Sequence, residues 1–233
     1  MKCRLAAAPV RSRLARAPAV ALLGSVSPAL MREVSESLAG HLARVELTPF
    51  LLPELGAKAL MQLWLCGGFA DGGVLRASRY PVWQRDYLSL MTQRDLPAWG
   101  LAARPQVTEL LRHPACGASW EGFVIEQLLG ALAAQGVDAE AHFLRTSEGY
   151  EIDLLLGIGG TLVAIEVKLA AGATPQALAR LERAADMVSA EHRYIVCQTA
   201  APAASATRSV LDLATTLARL KALAPAKAGR RAP

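Results

Sequence analysis

The stretch from Tyr150 to Leu169, YEIDLLLGIGGTLVAIEVKL, constrains this chain more than any other. It reads as two strands joined by a glycine-rich turn at Gly157-Ile158-Gly159-Gly160, because residues of period two flank a turn signal. Alternation places Ile152, Leu154 and Leu156 on one face of the first strand. Asp153 then projects from the opposite face, with Glu151 beside it. In the second strand Ile165 and Val167 share a face, so Glu166 and Lys168 point together the other way. An otherwise apolar hairpin thus directs two acids and a lysine to one side. Burying such groups unpaired is costly, so they share a purpose.

Metal chemistry is one such purpose. Two carboxylates on adjacent strands suit a hard cation such as Mg²⁺, which takes oxygen ligands and keeps several waters. A lysine two residues on suits charge stabilisation on a phosphate. Upstream, the segment GASWEGFV opens a helix that places Glu121 near its start. A helical Glu followed by D-(x)12-E-x-K is the pattern of the PD-(D/E)XK nuclease-like superfamily, and this region resembles it. The resemblance implies Asp153 and Glu166 as metal ligands, Lys168 assisting phosphoryl transfer and Glu121 supporting the metal. The plainer alternative is a Glu166–Lys168 salt bridge on a half-buried sheet.

The 233 residues are 53% hydrophobic and 5% aromatic, which fits a helix-rich α/β protein with one sizeable core or two small domains. The formal net charge of +5 permits a nucleic-acid or phosphate partner. Cys3, Cys66, Cys116 and Cys197 show neither CxxC spacing nor clustering with histidine. They indicate no zinc site and no disulfide framework, and they fit a reducing, cytoplasmic setting. No apolar run approaches the roughly 20 residues that span a membrane.

Taken in order, residues 1–18 are an Arg/Ala/Pro-rich leader, expected to be disordered. A short strand at Ala19–Leu23, a helix after Ser27 and a strand at His41–Leu47 follow. Leu55–Trp64 reads as helical, and a second helix carries Trp83, Tyr87, Leu90 and Met91 on one side before Pro97. The order LLGS, LMREVSESLAGH, VELTPFLLPEL, LWLCGGFADGGVL and YLSLMTQRDLP resembles the back half of uncharacterised prokaryotic AAA-type ATPases. Those proteins end in a domain of unknown function with a PD-(D/E)XK-like fold. The resemblance implies that residues 19–106 are a helix-rich remnant of the ATPase domain. Residues 107–223 then form the nuclease-like domain, a mixed sheet flanked by helices, and 224–233 a disordered tail.

The chain departs from that pattern in three places. It has no G-x-x-x-x-G-K-[ST], so no ATP site is expected. The family's SLAGR is here Ser37-Leu38-Ala39-Gly40-His41. A winged-helix segment between QRDLPAW and VTELLRHPACGASWEGF is missing, which marks the chain as truncated and internally deleted. An ATP-driven role would require an intact paralogous ATPase subunit. The leading expectation is a nucleic-acid or protein binding module, and the alternative is a Mg²⁺-dependent nuclease. Within the domain, helices are expected over Ser119–Ala134, from Pro175 after an N-cap at Thr174, and over Ser205–Leu223. Strands are expected at Ala139–Arg145 and Tyr194–Cys197. Trp120 is assigned to core packing, His142 to a satisfied structural site, and His192 to the surface.

Overall fold

The computed structural model describes residues 47–98 and 116–224. The elements expected over 19–46, the leader, most of the tail and the boundary at 106–107 lie outside the described residues. A compact unit begins at Thr48. Six strands form one sheet in the order β1-β2-β3-β4-β6-β5: β1 Ala139–Arg145, β2 Glu151–Ile158, β3 Thr161–Val167, β4 His192–Val196, β5 Ala203–Ala204 and β6 Arg208–Leu211. β1 pairs antiparallel with β2, and β2 antiparallel with β3; β3, β4 and β6 run parallel, and β5 returns antiparallel to β6. The mixed sheet between helices matches the expected α/β class at that level.

The organising hairpin forms as its pattern predicts. Ile158 pairs with Thr161, and Gly159 and Gly160 turn the chain at φ 59° and 84°. Two successive positive φ values define the tight turn whose twist matches that of the strands, and glycine adopts them without penalty.

One expectation about this hairpin is corrected. Ile152 does not share a face with Leu154 and Leu156. It packs with Ala164, Leu181, Ala185 and Ile195, whereas Leu154 and Leu156 pack with Val124, Leu128 and Ile165. The cause lies in the β1–β2 ladder, where Leu144 pairs with Ile152 but His142 pairs with Leu155. Asp153 and Leu154 together stand opposite Phe143, and this β-bulge switches the facing of everything before it.

The described residues also form six α-helices of four or more residues: α1 Leu52–Leu55, α2 Leu60–Cys66, α3 Tyr80–Leu90, α4 Cys116–Ala134, α5 Pro175–Met187 and α6 Leu213–Leu223. Helices α4 and α6 cover one side of the sheet through Trp120, Val124, Leu128, Leu213, Leu217 and Leu220. Helix α5 covers the other through Leu181, Ala184 and Ala185. Its N-cap is Thr174, whose hydroxyl accepts the Ala177 N–H at 3.2 Å, with Pro175 following.

The helix expected over Ser205–Leu223 is only partly present. Arg208–Leu211 instead forms β6 beside β4, and α6 begins after Asp212, whose Oδ1 accepts the Thr215 N–H at 2.8 Å. Parallel pairing with a buried strand outweighs local helical preference here. The segment before the sheet shares its core, since Leu52, Leu63 and Val74 join the cluster around Trp120 and Val124. A buried polar contact locks the two together: the Leu52 N–H donates to Gln127 Oε1 at 2.7 Å.

Candidate active site: a carboxylate cluster at the bulge

The bulge lies beside the residues that the sequence singled out. β2 pairs with β3 only as far as Leu154↔Ile165. One step further, the Val167 N–H donates to Asp153 Oδ2 at 2.7 Å. The carboxylate thus takes the place of a ladder acceptor where β2 has bent away.

Glu166 follows Ile165, and its side chain is only 17% exposed. Its Oε1 lies 2.5 Å from Lys168 Nζ, whereas Oε2 is buried and has no hydrogen-bond partner among the described residues. Lys168, 43% exposed, reaches this position because its N–H continues the pairing to Val196 O at 2.9 Å. Glu121 stands half-buried in the second turn of α4, and Arg145 pairs with Glu151 at the mouth of the β1–β2 hairpin.

Electrostatics couple these groups. Burial pushes the Asp153 carboxyl up, against the opposing effects of the Val167 N–H and Lys168. Burial likewise raises Glu166, aided by the charge of Asp153 and resisted by Lys168. Glu121 is raised by burial and by the charges of Asp153 and Glu151. Burial works against the Lys168 ammonium, but Glu166, Asp153 and Glu121 outweigh it and hold its pKa above the usual lysine range. Arg145 holds the Glu151 carboxyl low. Three acids that resist ionisation around one retained ammonium leave room for a further positive charge.

Among the described residues, no three His, Cys, Asp or Glu side chains converge closely enough to cage a metal. Asp153 and Glu166 would supply two oxygens and water the remainder, a pattern usual for Mg²⁺. The unpartnered Glu166 Oε2 is the atom that most calls for a cation.

Similarity to known proteins enters at this geometry. Residues 116–215 match the model of a domain of unknown function, DUF4143. The matched segment contains α4, the whole sheet, α5 and all four predicted site residues. The chain is also similar to uncharacterized proteins of Mycobacterium bovis and Mycobacterium tuberculosis. Each is 25% identical over 230 aligned positions, covering 63% of this chain and 51% of the relative. The chain thus spans about half the length of the curated relatives it matches. The alignment has more positions than this chain contributes residues, so part of each relative has no counterpart within it. No solved structure matches.

Other expectations resolve individually. Trp120 is core, 1% exposed, with its ring edge-on to Trp64 at 5.1 Å. Glu126 is exposed, as expected of a solvated acid. His142 is not a satisfied structural histidine but an exposed one, and His192 is half-buried with Nδ1 unpartnered. Sequence reasoning missed Phe143, an aromatic 78% exposed beside the bulge. A strand pattern alone does not say which face is covered. No helix among the described residues is long and apolar enough to cross a membrane.

Proposed function

We propose that the DUF4143 segment acts on nucleic acid as a Mg²⁺-dependent phosphodiester hydrolase. The observation that carries this reading is the buried, unpartnered Oε2 of Glu166 beside the coupled carboxylate of Asp153. Asp153 and Glu166 would hold the ion, with Asp153 fixed in orientation by the Val167 N–H. When bound, Mg²⁺ supplies Lewis-acid polarisation of a phosphoryl oxygen and a more acidic water. Lys168, kept protonated by its acidic neighbours, neutralises charge that develops on the phosphate. Glu121 supports the cation from α4.

One observation favours a second reading, a binding module that does not cleave. The hollow of about 370 Å³ lined by Phe50, Trp64, Phe123 and Gln127 lies against α4, and none of Glu121, Asp153 and Glu166 lines it. The wider relation to AAA-type ATPases rests on the order of sequence motifs alone. Because this chain lacks a P-loop, titration calorimetry should detect no saturable ATP binding. A 1:1 isotherm would overturn that expectation.

The metal reading has a pH signature. The raised pKa values of Asp153, Glu166 and Glu121 mean that the folded protein keeps protons the unfolded chain has released. Stability from these groups is fully present below the ordinary carboxylate range and falls as pH rises through it to the raised values. A divalent ion replaces those protons. Mg²⁺ should therefore raise the melting temperature at about pH 7.5, with the effect fading towards about pH 5 as protons compete. Melting curves that ignore Mg²⁺ at both values would remove the metal site and favour the Glu166–Lys168 ion pair as a structural feature.

A further inference from the structure

We propose that the hollow between α5 and the β1–β2 turn holds a backbone phosphate of the nucleic-acid strand whose reacting phosphate lies at Asp153 and Glu166. This inference rests on the hydrolase reading and names where the strand runs. The hollow, about 480 Å³, is lined by Glu148, Gly149, Tyr150, Gln176, Arg180 and Arg183, together with Ala179. Gln176, Arg180 and Arg183 follow one another at helical spacing, so α5 presents three donor side chains along one stripe.

Among the described residues, neither Arg180 nor Arg183 pairs with a carboxylate. Three other arginines around the sheet do: Arg145 with Glu151, Arg193 with Asp186, and Arg208 with Glu182. Arg180 Nη2 donates to the Gly149 carbonyl at 2.5 Å, which anchors the guanidinium and leaves its other N–H groups to donate. Glu148, the one acid in the lining, is exposed and forms no ion pair with either arginine.

Two features favour a nucleic-acid strand over a free anion. The hollow and the carboxylate cluster lie along one stretch of chain, because Tyr150, which lines the hollow, leads directly into β2 and Asp153 follows three residues later. Tyr150 to Asp153 is three strand residues, roughly 10 Å, or about three stacked nucleotides at a rise of about 3.4 Å. A polyanion can bridge that distance and engage both places at once. A single small anion gains nothing from the second.

Fluorescence anisotropy on the full chain tests this, with labelled mixed-sequence single- and double-stranded oligonucleotides and Ca²⁺ in place of Mg²⁺ to suppress turnover. The Arg180→Gln/Arg183→Gln double variant should bind about tenfold more weakly near 0.1 M salt. Its salt-dependence slope should fall by about 0.7 to 0.9 per lost contact. Arg183→Gln alone removes no hydrogen bond among the described residues, so it should fold normally and show about half the slope change. Arg76→Gln, an equal charge change at an exposed site outside the hollow, should match the wild type. Double-variant binding equal to that of Arg76→Gln would overturn the inference, and the hydrolase reading would stand if Glu166→Gln still abolished cleavage. Displacement of the oligonucleotide by equimolar inorganic phosphate would assign the hollow to a free anion and overturn it as well. Wild-type protein that binds neither oligonucleotide would overturn the inference and the reading together.

Discussion

Glu166→Gln should abolish the Mg²⁺-dependent rise in melting temperature and lower cleavage of DNA or RNA at least about 100-fold, the scale of losing one charge-stabilising group at a reacting centre. The change keeps the side chain's shape, and the amide oxygen still accepts from Lys168. What disappears is the anionic character of the buried Oε2, which has no partner among the described residues. Apo stability should change by no more than about 1 kcal/mol, because the Lys168 side of the pair is 43% exposed and water screens it. Removing a carboxylate that the charges of Asp153 and Glu151 oppose also offsets part of that loss.

Asp153→Asn should act in the same direction with less effect on the backbone, since an amide oxygen can still accept the Val167 N–H. A structural ion pair predicts the opposite pattern. Both variants would then lose stability equally with and without Mg²⁺, and the wild type would cleave nothing. Melting curves and a gel cleavage assay on the same preparations separate the two.

Trp120→Ala should be the most damaging single change to the fold, costing about 3–5 kcal/mol. The side chain is 1% exposed, edge-on to Trp64 and 5.7 Å from the Phe123 ring, where α2, α4 and the sheet share one core. That loss is a large part of the roughly 5–15 kcal/mol typical of a domain. Trp120→Phe should cost much less, because the indole Nε1 has no partner among the described residues and its removal breaks no hydrogen bond. Urea denaturation followed by tryptophan fluorescence and far-UV circular dichroism measures both. Limited proteolysis of the alanine variant should cut first within residues 48–98, whose packing depends on Trp120. A loss below about 1 kcal/mol would mean that this core is not shared.

The sequence by itself determined the features that are local. Alternation and two glycines specify the Glu151–Val167 hairpin, because its turn needs positive φ and its strands need only their own residues. Thr174-Pro175 specifies the start of α5 for the same reason, through a side chain that meets a backbone N–H three residues on. The presence of Asp153, Glu166 and Lys168 on one hairpin was likewise readable, since Leu154↔Ile165 sets a register that brings the strand ends together.

Only the tertiary structure decided the rest. The bulge at Asp153 depends on how β1 pairs across β2, and it moved Ile152 to the opposite core. Arg208–Leu211 became a strand because a buried parallel neighbour offered its backbone partners. Phe143 is exposed and Glu166 Oε2 is orphaned for a related reason. Which groups are covered depends on the other elements packed around them, and no spacing along the chain encodes that.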